Sequence, residues 1–178
     1  MQPNTSPIYT ESHRVLPKGM VWILLIASLV VLEIPLLAPW ESWTLQEIRP
    51  NGGAVAFMAL VWWFALGARI RLRLDAAGLR YQFWFLPAKK VSWQALKGWY
   101  VREVVTVEEF GGWGVLRSSK RGWGYVSTAA WGLQLVFADG RRVLISTQEP
   151  EALRRWLEAQ APPLSEFEIR LLARGQKV

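Results

Sequence analysis

The chain has 178 residues, room for one compact domain with a small appendage but not for two full catalytic domains. Hydrophobic residues make up 52% and charged residues 20%, too apolar for an ordinary soluble domain and too charged for a chain lying wholly in lipid, so two regimes share one sequence. Cysteine is absent and His13 is the single histidine, which excludes a disulfide framework, thiolate nucleophiles, Cys-ligated zinc and iron–sulfur clusters; no metal or cofactor is expected.

Residues 1–19 read as a cytoplasmic tail with His13, Arg14 and Lys18 before an apolar run. That run, 20–39, is broken only by Glu33 and Pro35. At 1.5 Å rise per residue, about 20 such residues span a hydrocarbon core of about 30 Å, so a first transmembrane helix is expected. A cleaved signal peptide fits less well, because the run is long, no A-x-A site follows and Pro39 comes directly after Ala38. Residues 52–68 form a second, charge-free run, expected as a second transmembrane helix. The connector 40–51 carries Arg49 against Glu41 and Glu47, whereas Arg14 and Lys18 precede the first run and Arg69, Arg71 and Arg73 follow the second. The positive-inside rule then puts the connector outside and both termini in the cytoplasm of a multi-pass protein of the cell (inner) membrane.

From residue 69 the chain holds 18 Lys and Arg against 10 Asp and Glu, a net +8, and its period changes to two. In Arg69–Asp75 three arginines alternate with Ile70, Leu72 and Leu74, which predicts a strand with one cationic and one aliphatic face. Asp75, Ala76, Ala77 and Gly78 supply a turn, and a second strand returns with Leu79, Tyr81, Phe83 and Phe85 on one face as far as Pro87. A turn around Trp93 and Leu96 precedes a third strand over about Trp99–Val107. Glycines at 111, 112, 114, 122, 124 and 132 then predict short, bent strands, and Asp139-Gly140 predicts a hairpin. Thr147 to Gln160 reads as an amphipathic helix, with Pro150 in the first turn and Leu153, Trp156 and Leu157 on one face. Residues 161–178 read as a shorter helix opened by Ser165 and Glu168, with a tail.

The turn at Asp75–Leu79, the step at Val91–Trp93, the run Phe110–Arg117 and the stretch Trp131–Leu153, behind a helical hairpin, together resemble bacterial membrane-anchored proteins with a pleckstrin-homology-like domain. The resemblance implies a membrane α hairpin plus a mainly-β, α+β domain over 69–160. It implies a small antiparallel barrel of about seven strands closed by a C-terminal helix, and no enzymatic activity. The first hairpin loop, Asp75-Ala76-Ala77-Gly78, carries an acid and no base, a departure from phosphoinositide-binding members.

The candidate sites follow from charge and exposure. Arg69, Arg71 and Arg73 are expected at an anionic, non-specific lipid surface, at roughly 1 kcal/mol per base. Gly111, Gly112, Trp113, Gly114, Arg117, Lys120, Arg121 and Trp123 form a glycine-rich edge, expected either as bulges with buried tryptophans or as a surface taking a protein partner by strand pairing. Glu33 either bonds within the helical pair or lines an oligomeric pathway. Glu108 and Glu109, adjacent on an expected strand, would face opposite ways and offer no acid–base pair. The expected function is therefore a non-enzymatic integral membrane protein whose domain serves as an interaction or scaffold module, with a protein partner or self-association and no nucleic acid. The alternative is a small transport or export component.

Overall fold

A computed structural model of the chain describes residues 8–37, 45–119 and 121–159, with 30–37, 45–52 and 54 described by their backbone alone. It divides into two compact units, one formed by the residues up to Val15 with those from Arg69 onward, the other by Leu16–Ala68.

The smaller unit is a pair of helices, α1 (Lys18–Leu37) and α2 (Leu45–Gly67). The Trp62 indole donates to Ser28 Oγ at 2.6 Å, and Ser28 donates to the Leu24 carbonyl one turn earlier, which ties the helices together. Among the described residues no helix is long and apolar enough to cross a membrane. This overturns both expected transmembrane helices. With them go the multi-pass inner-membrane location, the cytoplasmic placement of the termini, the integral-membrane scaffold and the Glu33-lined pathway. The reason lies in where the helices run. α2 starts at Leu45, so its first turns take in Gln46, Glu47, Arg49, Pro50 and Asn51. α1 holds Lys18, Ser28, Glu33 and Pro35, and neither helix offers about 20 successive apolar residues. The Glu33 side chain and residues 38–44 of the connector lie outside the described residues.

The larger unit has nine described strands in two sheets. The first has the order β1-β2-β3-β4, with β1 (Tyr9–Arg14), β2 (Arg69–Asp75), β3 (Gly78–Phe83) and β4 (Lys89–Ser92), all antiparallel. The second has the order β5-β8-β9-β7-β6, with β5 (Leu96–Glu103), β6 (Gly114–Ser118), β7 (Gly122–Val126), β8 (Trp131–Phe137) and β9 (Arg142–Thr147). Its β7–β9 pair is parallel. The expected seven-stranded closed barrel is thus replaced by two separate ladders. No described ladder joins β4 to β6, and the residues expected as a tail supply a whole extra strand, β1.

Alternation explains the core. Ile70, Leu72, Leu74, Leu79, Tyr81 and Phe83 share the buried face of the first sheet, each aliphatic side chain contributing about 1.5–3 kcal/mol of burial. Strands β8 and β9 are buried on both faces. One face holds Leu133, Leu135, Val143 and Ile145. On the other, Val104, Phe110, Val126 and Leu144 cluster under α3 (Thr106–Phe110).

Two predicted strands are cut short. β3 ends at Phe83 because Trp84 takes a left-handed φ of 46°, leaving Phe85 exposed instead of on the inner face. β5 ends at Glu103, and Glu108 and Glu109 sit on α3, not on a strand. Gly111 caps that helix at φ 79°, where an L side chain would be strained. The closing helix α4 (Pro150–Glu158) opens with proline and buries Leu153 and Leu157. The short helix expected over 161–178 lies outside the described residues.

Candidate functional site

The second sheet ends at β6, which pairs on one side only, with β7. Edge strands expose unpaired N–H and C=O groups, and proteins blunt them with brevity, bulges and lysines. The first sheet's edge at β4 has four residues and carries Lys89 and Lys90. The second sheet's other edge, β5, is bulged between Leu96 and Gly98. β6 instead reads Gly-Val-Leu-Arg-Ser with no lysine, and is the less guarded edge.

Cross-strand register puts Val115 opposite Tyr125 and Arg117 opposite Trp123. On the same face, Trp123 and Tyr125 of β7 are neighbours of Val143 and Ile145 of β9. Trp123, Tyr125 and Val143, together with Tyr81, Lys89, Phe137 and Arg141, line a cleft of about 680 Å³, whose other wall is β4. Tyr81 and Tyr125 meet edge to face at 4.8 Å and form its floor. Burial first, then the neighbouring Tyr125, pushes the Tyr81 hydroxyl up to about 12, so it stays a donor at neutral pH.

Trp123 is 44% exposed, unusual for so large an aromatic. Its ring is flanked by two cations, the Arg117 guanidinium at 5.9 Å and Lys89 Nζ at 6.0 Å from the ring centre. About 6 Å is the limit of cation–π attraction, so neither cation is strongly engaged by the ring. Arg141, at the cleft's far end, is held by Asp139 at 2.6 Å across an exposed turn.

The expected edge residues separate into groups. Trp123 lines the cleft with the Arg117 guanidinium beside its ring, and Gly114 starts β6. Gly111, Gly112 and the half-buried Trp113 make the turn between α3 and β6. Arg121 is drawn to the opposite face by Glu109, at 3.4 Å, where Glu109 also takes a two-pronged bond from Arg102 at 2.7 and 2.8 Å. Lys120 lies outside the described residues. Sequence reasoning missed Lys89, Tyr81, Tyr125 and Arg141, whose convergence depends on the packing of two sheets.

Arg69, Arg71 and Arg73 all lie exposed on the outer face of β2. A second polar cluster fixes β1. Glu11, only 6% exposed, accepts from Thr147 Oγ1 and the Gln148 amide, each at 2.6 Å, and from Tyr9 at 3.0 Å, with His13 Nδ1 3.1 Å away. Burial opposes its ionisation, but hydrogen bonds from His13, Thr147 and Gln148 outweigh burial and lower its pKa. The Glu11 carboxylate holds β1 to the end of β9, while His13 Nε2 is buried with no hydrogen-bond partner among the described residues. No group of His, Asp and Glu suited to a metal ion occurs among the described residues. No family model, curated protein or solved structure matches the chain.

Proposed function

We propose that the larger unit is a non-enzymatic binding module that takes an extended, acidic polypeptide segment along β6. The unpaired edge offers main-chain hydrogen bonds, and the exposed Trp123 beside it offers an apolar platform for a side chain. Arg117 and Lys89 flank that platform and suit acidic residues on either side of an apolar one. The observation that carries the proposal is Trp123, left exposed between two weakly engaged cations next to the unpaired β6 edge of the second sheet.

Selection of a random peptide library on the full chain tests this. The enriched peptides should pair acidic with aromatic or aliphatic residues, and Trp123→Ala should weaken them at least tenfold, the size of an aromatic anchor of about 1.4 kcal/mol or more. Lys89→Glu should weaken them too. Enrichment of basic peptides, or binding indifferent to Trp123→Ala, would contradict the proposal.

A further inference from the structure

The outer face of the four-stranded sheet carries cations that no described carboxylate pairs. Arg69, Arg71 and Arg73 alternate outward along β2. Register adds bases from the neighbouring strands that the spacing within β2 does not reveal. Arg14 of β1 stands opposite Arg69, Arg80 of β3 opposite Arg73, and Lys90 of β4 opposite Arg80. Six cations therefore share one sheet face, in three directly opposed like-charge pairs. Opposed side chains in a sheet lie about 5 Å apart, and like charges so placed destabilise the pairing.

Among the described residues no carboxylate relieves this repulsion. No ion pair reaches Arg14, Arg69, Arg71, Arg73, Arg80 or Lys90 among the described residues. The acid at the end of β2, Asp75, turns its carboxylate back to the amides of Ala77 and Gly78. Glu11 of β1 points to the buried side. The other outward side chains in register are Thr10, Ser12, Gln82 and Ser92, all polar and neutral.

We infer that this face binds an anionic lipid surface by peripheral, head-group-level contact. The chemistry of the face separates the polyanions. A protein interface has an apolar or aromatic centre, and the described residues in register on this face offer none. Single-stranded nucleic acid is bound on aromatic platforms, also missing here. A grid of bases spread over four strands, around a recess lined by Thr10, Ser12, Arg71, Arg73, Arg80 and Gln82, matches a layer of anionic head groups, where attraction is diffuse and adds up base by base. The grid is on the opposite side of β2 and β3 from the Tyr81 cleft, so the two surfaces can be tested independently.

The test uses the full chain and vesicles of phosphatidylcholine with and without phosphatidylserine. The quantity read is the extra partitioning that phosphatidylserine confers, so adsorption to neutral vesicles cancels. We expect that increment to fall about fivefold for each arginine neutralised, and on the order of a hundredfold for Arg71→Gln, Arg73→Gln and Arg80→Gln together. The corresponding lysine variants should retain it, and rising salt should abolish it. The triple glutamine variant should melt no lower than the parent, because it removes like-charge pairs, which separates lost binding from lost folding. Equal partitioning to both vesicle types, an unchanged increment in the triple variant, or tighter binding to duplex DNA than to the anionic vesicles would overturn the inference.

Discussion

At the scale of single residues, two carboxylates decide how the larger unit holds together. Glu109 is partly buried, and burial raises its pKa, but hydrogen bonding to Arg102 and the charges of Arg102 and Arg121 outweigh burial and lower it. A carboxylate with a lowered folded-state pKa stabilises the fold above its unfolded pKa and loses that contribution as pH falls through the folded value. Glu109→Gln should therefore cost about 2 kcal/mol at neutral pH and flatten the acid limb of a plot of melting temperature against pH. Glu11 obeys the same sign. Glu11→Ala should lower stability by about 2 kcal/mol by orphaning Thr147 and Gln148, and hydrogen exchange should show β1 opening before the rest of the first sheet. Neither role was legible in the sequence. The sequence pattern puts Glu109 on a strand and Glu11 and His13 in a tail, since a six-residue strand whose partner follows two helices later in the chain leaves only a short local pattern.

At the scale of elements, glycine and register explain most of the second sheet. A Cβ built on Gly124 would come within 2.5 Å of the Phe110 ring, so α3 packs against bare backbone at that point. Gly124→Ala should destabilise by about 1–3 kcal/mol through overpacking, and thermal unfolding should show Phe110→Leu regaining part of the loss. In the smaller unit, Ser28→Ala removes the acceptor for the Trp62 indole. That change should cost about 1 kcal/mol and shift the Trp62 indole resonance in a nitrogen-correlated spectrum. Period-two alternation made β2 readable in advance, turn residues the Asp75 turn and the Asp139-Gly140 hairpin, and helical spacing of Leu153, Trp156 and Leu157 α4. The true end of β3 was hidden because Trp84 adopts a left-handed conformation that its residue type does not signal. The helical pair shows the reverse error, an apolar run read as a span although the helix that contains it begins among polar residues.

At the scale of the molecule, the larger unit presents two surfaces of different chemistry. The outer face of its first sheet sets six cations among neutral polar residues, whereas the cleft by β6 combines bases with exposed aromatic surface. The sequence contained three of the six outer cations as a visible stripe and hid the others, because Arg14, Arg80 and Lys90 join it only through strand register. Likewise Trp123 was legible as an aromatic in a glycine-rich stretch, but its exposure follows from the two ladders failing to close around it. The central claim is that β6 accepts a polypeptide strand. Hydrogen exchange of the full chain with and without a library-selected acidic peptide tests it most directly. The account predicts slowed exchange of the amides within Gly114–Ser118, absent in Trp123→Ala at the same peptide concentration. Protection confined to β1, β4 or β5, with Gly114–Ser118 unchanged, would contradict it.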